Sequence, residues 1–400
     1  VKAQRQTFMY LVLTCLVIAM IVSVAGGCGE SGTATTAGEA EPLILGAALG
    51  LTGDAAPGDV PAAEAMEYAV ALINEAGGIL GHPVELIVKD MKSDPALGGT
   101  VTQELLSAGA QVIIGPAFPG IAAGVIQAAA DAGVPVLSAT STQPEYTVIG
   151  GSKAYLVAFG DNVQAAAAAE YALAQGYKTV YTLTSPDLSY TERLPEFFAA
   201  TFENGGGERI GDDTYSIGQQ DFAPQVTKIA ALNPQPDVIF SGMIPPDVFV
   251  FTMQLRAAGV TAPLYGPDGW DNIAFIEFAG EDAEGVVFAT HGYPVPGSRF
   301  ETFIAGLTEF QGSEPEAPAL ATTGGDAIDV IMAAVTAAGS IEPGAIGAAL
   351  AELEDVEVVN GTITYKGTNG VPEKTVAIVA IEGGAFVLKD QFLPSFIPQP

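Results

Sequence analysis

From Pro42 onward, the pattern of apolar and polar positions switches repeatedly between two periods. Short β-rich runs, LILGAAL, VELIVKD, VIIGPA, VPVLSAT, KTVYTLTS, DVIFSG and GVVFAT, are separated by longer segments with apolar residues at helical spacing. In the first of these segments Ala62, Met66, Ala69, Val70 and Ile73 share one face, and Gly77-Gly78 supplies the stop. Strands that are apolar on both faces and joined through helices predict parallel sheet covered on both sides. The fold class is therefore α/β and doubly wound, with right-handed crossovers. No short period repeats, which excludes a solenoid or a propeller.

The strands are too many for one sheet, so two doubly wound lobes joined by several strand crossings are predicted. A strand at Tyr155–Phe159 leads into an Ala-rich helix and a new βα series, and THGYPVPG interrupts the pattern again near Ala289–Tyr293. GTITYK, EKTVAIVAI and AFVLKD alternate like strands of a small antiparallel element. These breaks predict lobe 1 as residues 42–158 plus 292–355 and lobe 2 as 159–291 plus 356–400. Ligands of open α/β sheets sit beyond the carboxyl ends of the strands, so the cleft between the lobes is the expected site.

The segment before Pro42 has a different character. Lys2 and Arg5 precede an apolar run from Phe8 to Ala25, and Ala25-Gly26-Gly27 stands directly before Cys28. This is the layout of an export signal. It resembles a bacterial lipoprotein signal, which implies that residues 1–28 carry the signal and that Cys28 becomes the lipid-bearing first residue of the mature chain. Ala25 stands where that pattern most often has leucine. The alternative is an uncleaved membrane helix, since the run is near the lower length limit for spanning a bilayer. Either reading puts the body outside the cytoplasmic membrane, tethered by the Gly/Ser/Thr/Ala/Glu linker 29–41.

Charge narrows the partners. Against 14 Lys plus Arg stand 46 Asp plus Glu, a formal net charge of -32, and such a surface repels phosphate backbones. Nucleic acid is therefore not an expected partner. Cys15 and Cys28 both precede the folded body, so no disulfide framework or zinc cluster is expected, and His82 and His291 are too few for a histidine metal site. No metal or cofactor is predicted. Nor is an enzyme: the chain has neither G-x-S-x-G nor a Walker sequence, and NGGGERIG follows a helical segment and precedes a strand, the reverse of a dinucleotide fingerprint. The carboxylates Asp212 and Asp213, like Glu352, Glu354 and Asp355, read as solvated faces of an acidic protein.

The fragments LGLTGDAAPGD, AMEYAVALINEAGGILGHPVELIVKDMKSDP, VIIGPAFPG, GVPVLSATSTQPEYT and YGPDGWDN follow one another in a telling order. From about Pro42 to about Asp390 the chain resembles the type I periplasmic binding proteins that capture branched-chain amino acids for ABC transporters. That resemblance implies an amino acid or related small molecule as ligand, ABC permease subunits as partners, and attachment to the membrane through the lipid anchor. A ligand-sensing module that reports to a receptor has the same fold and is the alternative.

The resemblance also implies a site. A zwitterion losing water in a cleft needs a fixed partner at each end. Thr140 and Thr142 match positions that hold the ligand carboxylate, beside the loop of Ala117, Phe118 and Gly120; Pro119, which has no N–H, stands near the family's serine-bearing position. The threonines also fit plain turn chemistry. Asp268 matches the acidic residue that pairs with the ammonium, though an Asp between Pro and Gly is also an ordinary turn residue. Tyr190 matches a tyrosine of the second lobe, as a ligand contact or as packing. Trp270 is placed either as a pocket wall or packed in the hinge. Pro57, Met243 and Leu320 stand at contact positions where relatives often carry rings, so the side-chain pocket is expected to differ.

Overall fold

The computed structural model describes residues 40–399. The signal reading of residues 1–28, with Cys28, and the linker as far as residue 39 lie outside the described residues. The unit from Glu41 onward begins with five β-strands: β1 (Leu43–Leu49), β2 (Val84–Asp90), β3 (Val112–Gly115), β4 (Val136–Ser138) and β5 (Ala154–Leu156). Between them run α1 (Ala56–Glu75), α2 (Pro95–Ser107), α3 (Pro119–Ala132) and α4 (Glu145–Gly150). All pairings are parallel, in the order β2-β1-β3-β4-β5, with Leu43 opposite Val84 and Leu45 opposite Val112.

Alternation along β1 shows why both faces are covered. Leu43, Leu45, Ala47 and Leu49 face a core built with Met66 and Val70 of α1, while Ala48 on the opposite face joins Leu105 of α2 and Val125 of α3. As the glycine pair predicts, α1 ends before Gly77 and Gly78, both at positive φ, and a Cβ on Gly78 would lie 2.1 Å from the His82 carbonyl oxygen.

The second series is α5 (Asp161–Ala174), β6 (Thr179–Thr184), α6 (Ser189–Asn204), β7 (Glu208–Thr214), α7 (Ala223–Ala230), β8 (Val238–Ser241), α8 (Asp247–Ala257), β9 (Leu264–Gly266), α9 (Ala274–Ala279) and β10 (Val287–Thr290). Its parallel strands run β7-β6-β8-β9-β10, which repeats the winding of the first sheet. Ala165–Ala169 of α5 are all buried, small enough for the helix to lie close on the sheet.

The chain then returns to the first sheet. α10 (Arg299–Gln311), α11 (Pro318–Ala338) and α12 (Pro343–Leu350) supply Phe300, Ile331 and Ile346 to the core on the α1 side. α11 is long and apolar enough to cross a membrane, but 78% of its most apolar window is buried, as befits a core helix. A Cβ on Gly324 would sit 2.1 Å from the Ala62 carbonyl oxygen, so α11 approaches α1 at a distance only glycine allows.

The C-terminal strands are not one small element. The hairpin β11 (Val356–Val358) and β12 (Gly361–Ile363) places Val358, Val359, Ile363 and Tyr365 in the first-sheet core, although 356–365 were expected in lobe 2. β13 (Val376–Glu382) instead pairs antiparallel with β10, and β14 (Ala385–Phe392) with β13, extending the second sheet to seven strands. The passages between the sheets converge on Asp326 of α11. It forms a fully buried ion pair with Lys374, whose ammonium also reaches the Val157 carbonyl oxygen, and it accepts from Asn360, which packs against Gly292.

Candidate functional site

Both sheets wind in the same order, so each has its switch point where neighbouring crossovers go to opposite faces, and the loops after the strands open there. The loops after β1, β3 and β4 face those after β6, β8 and β9 across a cavity of about 280 Å³. Its lining includes Ala117, Phe118, Thr140 and Thr142 from the first sheet, and Tyr190, Ile244 and Asp268 from the second. Cavities of about 470 and 400 Å³ lie elsewhere, but neither collects the strand-end loops of both sheets.

The first-sheet wall is organised around Asp59, which sequence reading passed over. It lies in the first turn of α1 with 1% of its surface exposed. Its carboxylate accepts from the Gly50 N–H at 2.9 Å and from the Thr140 hydroxyl at 2.9 Å. Burial pushes the Asp59 carboxyl up to about 7, against the opposing pull of hydrogen bonds from Gly50, Thr140 and the Ala117 backbone. Thr142 has a similar neighbour: its carbonyl accepts the Asp161 N–H at 2.6 Å, and the Asp161 carboxyl accepts from Gln164 Nε2 at 3.0 Å. Burial raises Asp161 to about 8, assisted by the charge of Asp268. Thus both expected threonines reach the cavity, each beside a buried aspartate, and the Thr140 hydroxyl is engaged by its neighbour.

Beside them Gln143 is 4% exposed, and its Oε1 has no hydrogen-bond partner among the described residues. A buried amide oxygen left unpaired on a cavity wall is ready for a donor from a ligand. α3 begins at Pro119 with Phe118 as N-cap and no side-chain cap, so its first-turn N–H groups are free of that competitor. Gly120 is exposed on this turn and does not line the cavity.

The second-sheet wall centres on Asp268, in a short 3-10 turn directly after β9. Tyr190 donates its hydroxyl to Asp268 Oδ1 at 2.7 Å and accepts the Gly269 N–H at 3.2 Å. His291, directly after β10, sets Nε2 3.0 Å from Asp268 Oδ2. The Asp268 N–H donates to Gln164. Burial alone raises a carboxyl, but His291, Tyr190 and Gln164 outweigh it and hold Asp268 below its ordinary value. The His291 ring stacks on Phe159 with centroids 4.3 Å apart. Its Nδ1 has no hydrogen-bond partner among the described residues. Asp271 also lines the cavity; burial pushes it up to about 6 while the Thr290 hydroxyl opposes.

Trp270 and Met243 are corrections to the expected lining. Both are completely buried in the second-sheet core, where the Trp270 Nε1–H donates to the Met243 carbonyl at 2.6 Å and the indole meets Phe275 edge to face. A Cβ on Gly266 would strike the indole at 2.3 Å, so the glycine makes room for the ring under the loop. Pro57 and Leu320 do line the cavity, together with Asp54, Pro245 and Asn272, which the sequence did not single out. Asp59 and His291 carried one readable signal: each lies within ten residues of the carboxyl end of a strand facing the cleft.

The chain belongs to the periplasmic binding proteins, whose family model matches residues 42–385. It has the type I fold, and the family consists of solute-binding proteins. The Leu/Ile/Val-binding protein BraC3 of Rhizobium johnstonii is 26% identical over 348 residues, covering 86% of this chain and 93% of that protein. The leucine-binding protein LivK of Thermotoga maritima superposes with a TM-score of 0.76 at 26% identity, covering 88% of this chain and 99% of that one. The branched-chain amino acid transporter substrate-binding protein LivJ of Streptococcus pneumoniae, solved with isoleucine, also gives 0.76, at 24% identity, with coverage of 90% and 100%.

Proposed function

We propose that the protein is the extracytoplasmic substrate-binding component of an ABC importer and that it captures a branched-chain or similar amino acid in this cleft. Asp268 is the observation that carries the reading. It is a buried carboxylate favoured in its charged form, in a cavity whose lining, among the described residues, holds Asp54, Asp268 and Asp271 and neither lysine nor arginine. Such a wall suits a ligand that brings its own cation. The ammonium pairs with Asp268, and the carboxylate faces the backbone N–H groups and hydroxyls of the loops at Ala117–Phe118 and Thr140–Gln143. The aliphatic side chain lies against Phe118, Ile244, Pro245 and Leu320. Relatives named for leucine, isoleucine and valine support the same ligand class.

In this reading the two sheets with their helices are hinged lobes, residues 356–365 counting with lobe 1. Ligand seats on one wall, and contacts from the other stabilise the closed form offered to the permease. The ligand leaves unchanged, since the protein is not an enzyme. Residues 1–28 direct export and Cys28 bears the lipid anchor. Thermal-shift and calorimetric titration with L-leucine, L-isoleucine and L-valine test the ligand class. Saturable binding with a rise in melting temperature is expected, and no response to any of the three would sink it. Release of Cys28→Ser from the membrane fraction checks the anchor, and continued sedimentation would favour an uncleaved helix.

A further inference from the structure

The two walls treat hydrogen differently. On the first-sheet wall the Thr140 hydroxyl hydrogen points away from the cavity, into Asp59. While Asp59 is ionised, Thr140 turns only lone pairs toward the cleft, and a carboxylate arriving there meets an acceptor with a second carboxylate behind it. Among the described residues no lysine or arginine lines the cavity to offset that repulsion. Protonated Asp59 reverses the arrangement. Its own O–H donates to Thr140 Oγ1, the Thr140 hydrogen swings into the cleft, and the charge behind the subsite is gone.

We propose that Asp59 is a positioning residue acting through Thr140, and that one proton from solvent is bound at Asp59 when the carboxylate of an amino acid enters the cleft. This rests on the amino-acid reading above. The balance is simple: Asp59 carboxylate plus one buffer proton gives the carboxylic acid, and one hydroxyl hydrogen bond is exchanged for another. Supporting chemistry lies in the burial of Asp59, which already favours the neutral form near neutral pH. The titratable side chain packed toward it is Tyr146 of α4, itself fully buried and raised by burial and by Asp59. Asp54 after β1, and Asp90 and Lys92 at the end of β2, are the charged groups of the adjoining loops, and Ala117 and Thr140 are the neighbours from the loops after β3 and β4.

The test is calorimetry of the intact chain with L-leucine at one pH between 7 and 8.5, in phosphate and in Tris, whose ionisation enthalpies differ widely. Proton uptake appears as a buffer-dependent binding enthalpy, and leucine affinity should fall by up to about tenfold per pH unit as Asp59 ionises. Asp59→Asn places an amide donor against Thr140 and should bind leucine with buffer-independent enthalpy and a flat pH profile. L-leucinol, which lacks the carboxylate, should bind without proton uptake. Buffer-independent leucine binding by the unmodified protein overturns the proposal and leaves the amino-acid reading intact, whether or not the variant folds. Undiminished uptake in Asp59→Asn assigns the proton to another group, such as the buried Asp161, and overturns it too. Equal uptake with leucinol removes the carboxylate from the linkage. No binding of leucine, isoleucine or valine at any pH removes the amino-acid reading and this proposal with it.

Discussion

Asp59 and Asp268 are both almost wholly buried, one on each wall of the same cleft, yet their carboxyls are driven in opposite directions. Each loses solvent, which disfavours charge. Asp59 receives hydrogen bonds from neutral backbone and a hydroxyl, and these do not compensate. Asp268 gains an imidazole and a phenol as well, and these do. The lesson is that burial does not fix the charge of a site residue; the donors packed around it decide. One wall thus offers a fixed negative charge, and the other a group whose charge is conditional.

That contrast can be broken experimentally. The largest expected effect is on stability. Asp59 has an ordinary value of 3.8 and rises to about 7 on folding. The folded state therefore holds the proton more tightly, and the associated stabilisation is complete below about pH 4 and lost as pH rises through about 7. Three units at about 1.4 kcal/mol each give roughly 4 kcal/mol for this group alone. Urea unfolding should show greater stability at pH 5 than at pH 8.5, with a shallower slope in Asp59→Asn; equal slopes would mean the carboxyl is not protonated in the fold. Asp268, lowered on folding, contributes the opposite way, and its share is lost only on acidification below the ordinary carboxyl range.

Next in size, Asp268→Ala should weaken leucine binding by about 2–5 kcal/mol, the usual cost of removing one partner of a buried charge pair. Unchanged affinity in calorimetry would take Asp268 out of the site. Tyr190→Phe removes one donor from Asp268 and should cost about 1.5–3 kcal/mol of leucine affinity, as expected for a hydrogen bond to a charged group. If affinity instead stays level, the tyrosine serves packing alone. Leu320→Ala touches neither carboxyl; it should lower leucine affinity by about 1 kcal/mol through lost apolar contact, with no change in pH dependence. A pH profile altered by this variant would blur the distinction between the walls.

Much of the fold was legible because strands such as LILGAAL and VIIG are buried on both faces and cannot be mistaken for surface. β7, ERIGDDT, was legible only in part: a strand was expected after NGGGERIG, yet it already begins at Glu208, because in an edge strand of mostly polar, partly exposed residues pairing and not hydrophobic pattern sets the bounds. The hairpin at Val356–Ile363 and the strand β13 look alike in sequence, yet tertiary packing sends one to the first-sheet core and the other to the second sheet. In the site, Thr140, Thr142, Tyr190 and Asp268 were placed by motif at loops that do converge. Trp270 was left open between pocket wall and packing; on the 3-10 turn a position two residues from Asp268 faces a different side, and here that side is the core. Asp59 and His291 escaped because their importance lies in contacts 81 and 23 residues away along the chain.

Asp326 and Lys374 carry one further consequence. A pair with no exposed surface, tied to the passages between the sheets, is beyond the reach of mobile counterions, whereas the strongly acidic exterior is not. Changes in external ionic strength will therefore alter how the surface repels its neighbours and leave this buried tie between the sheets as it was.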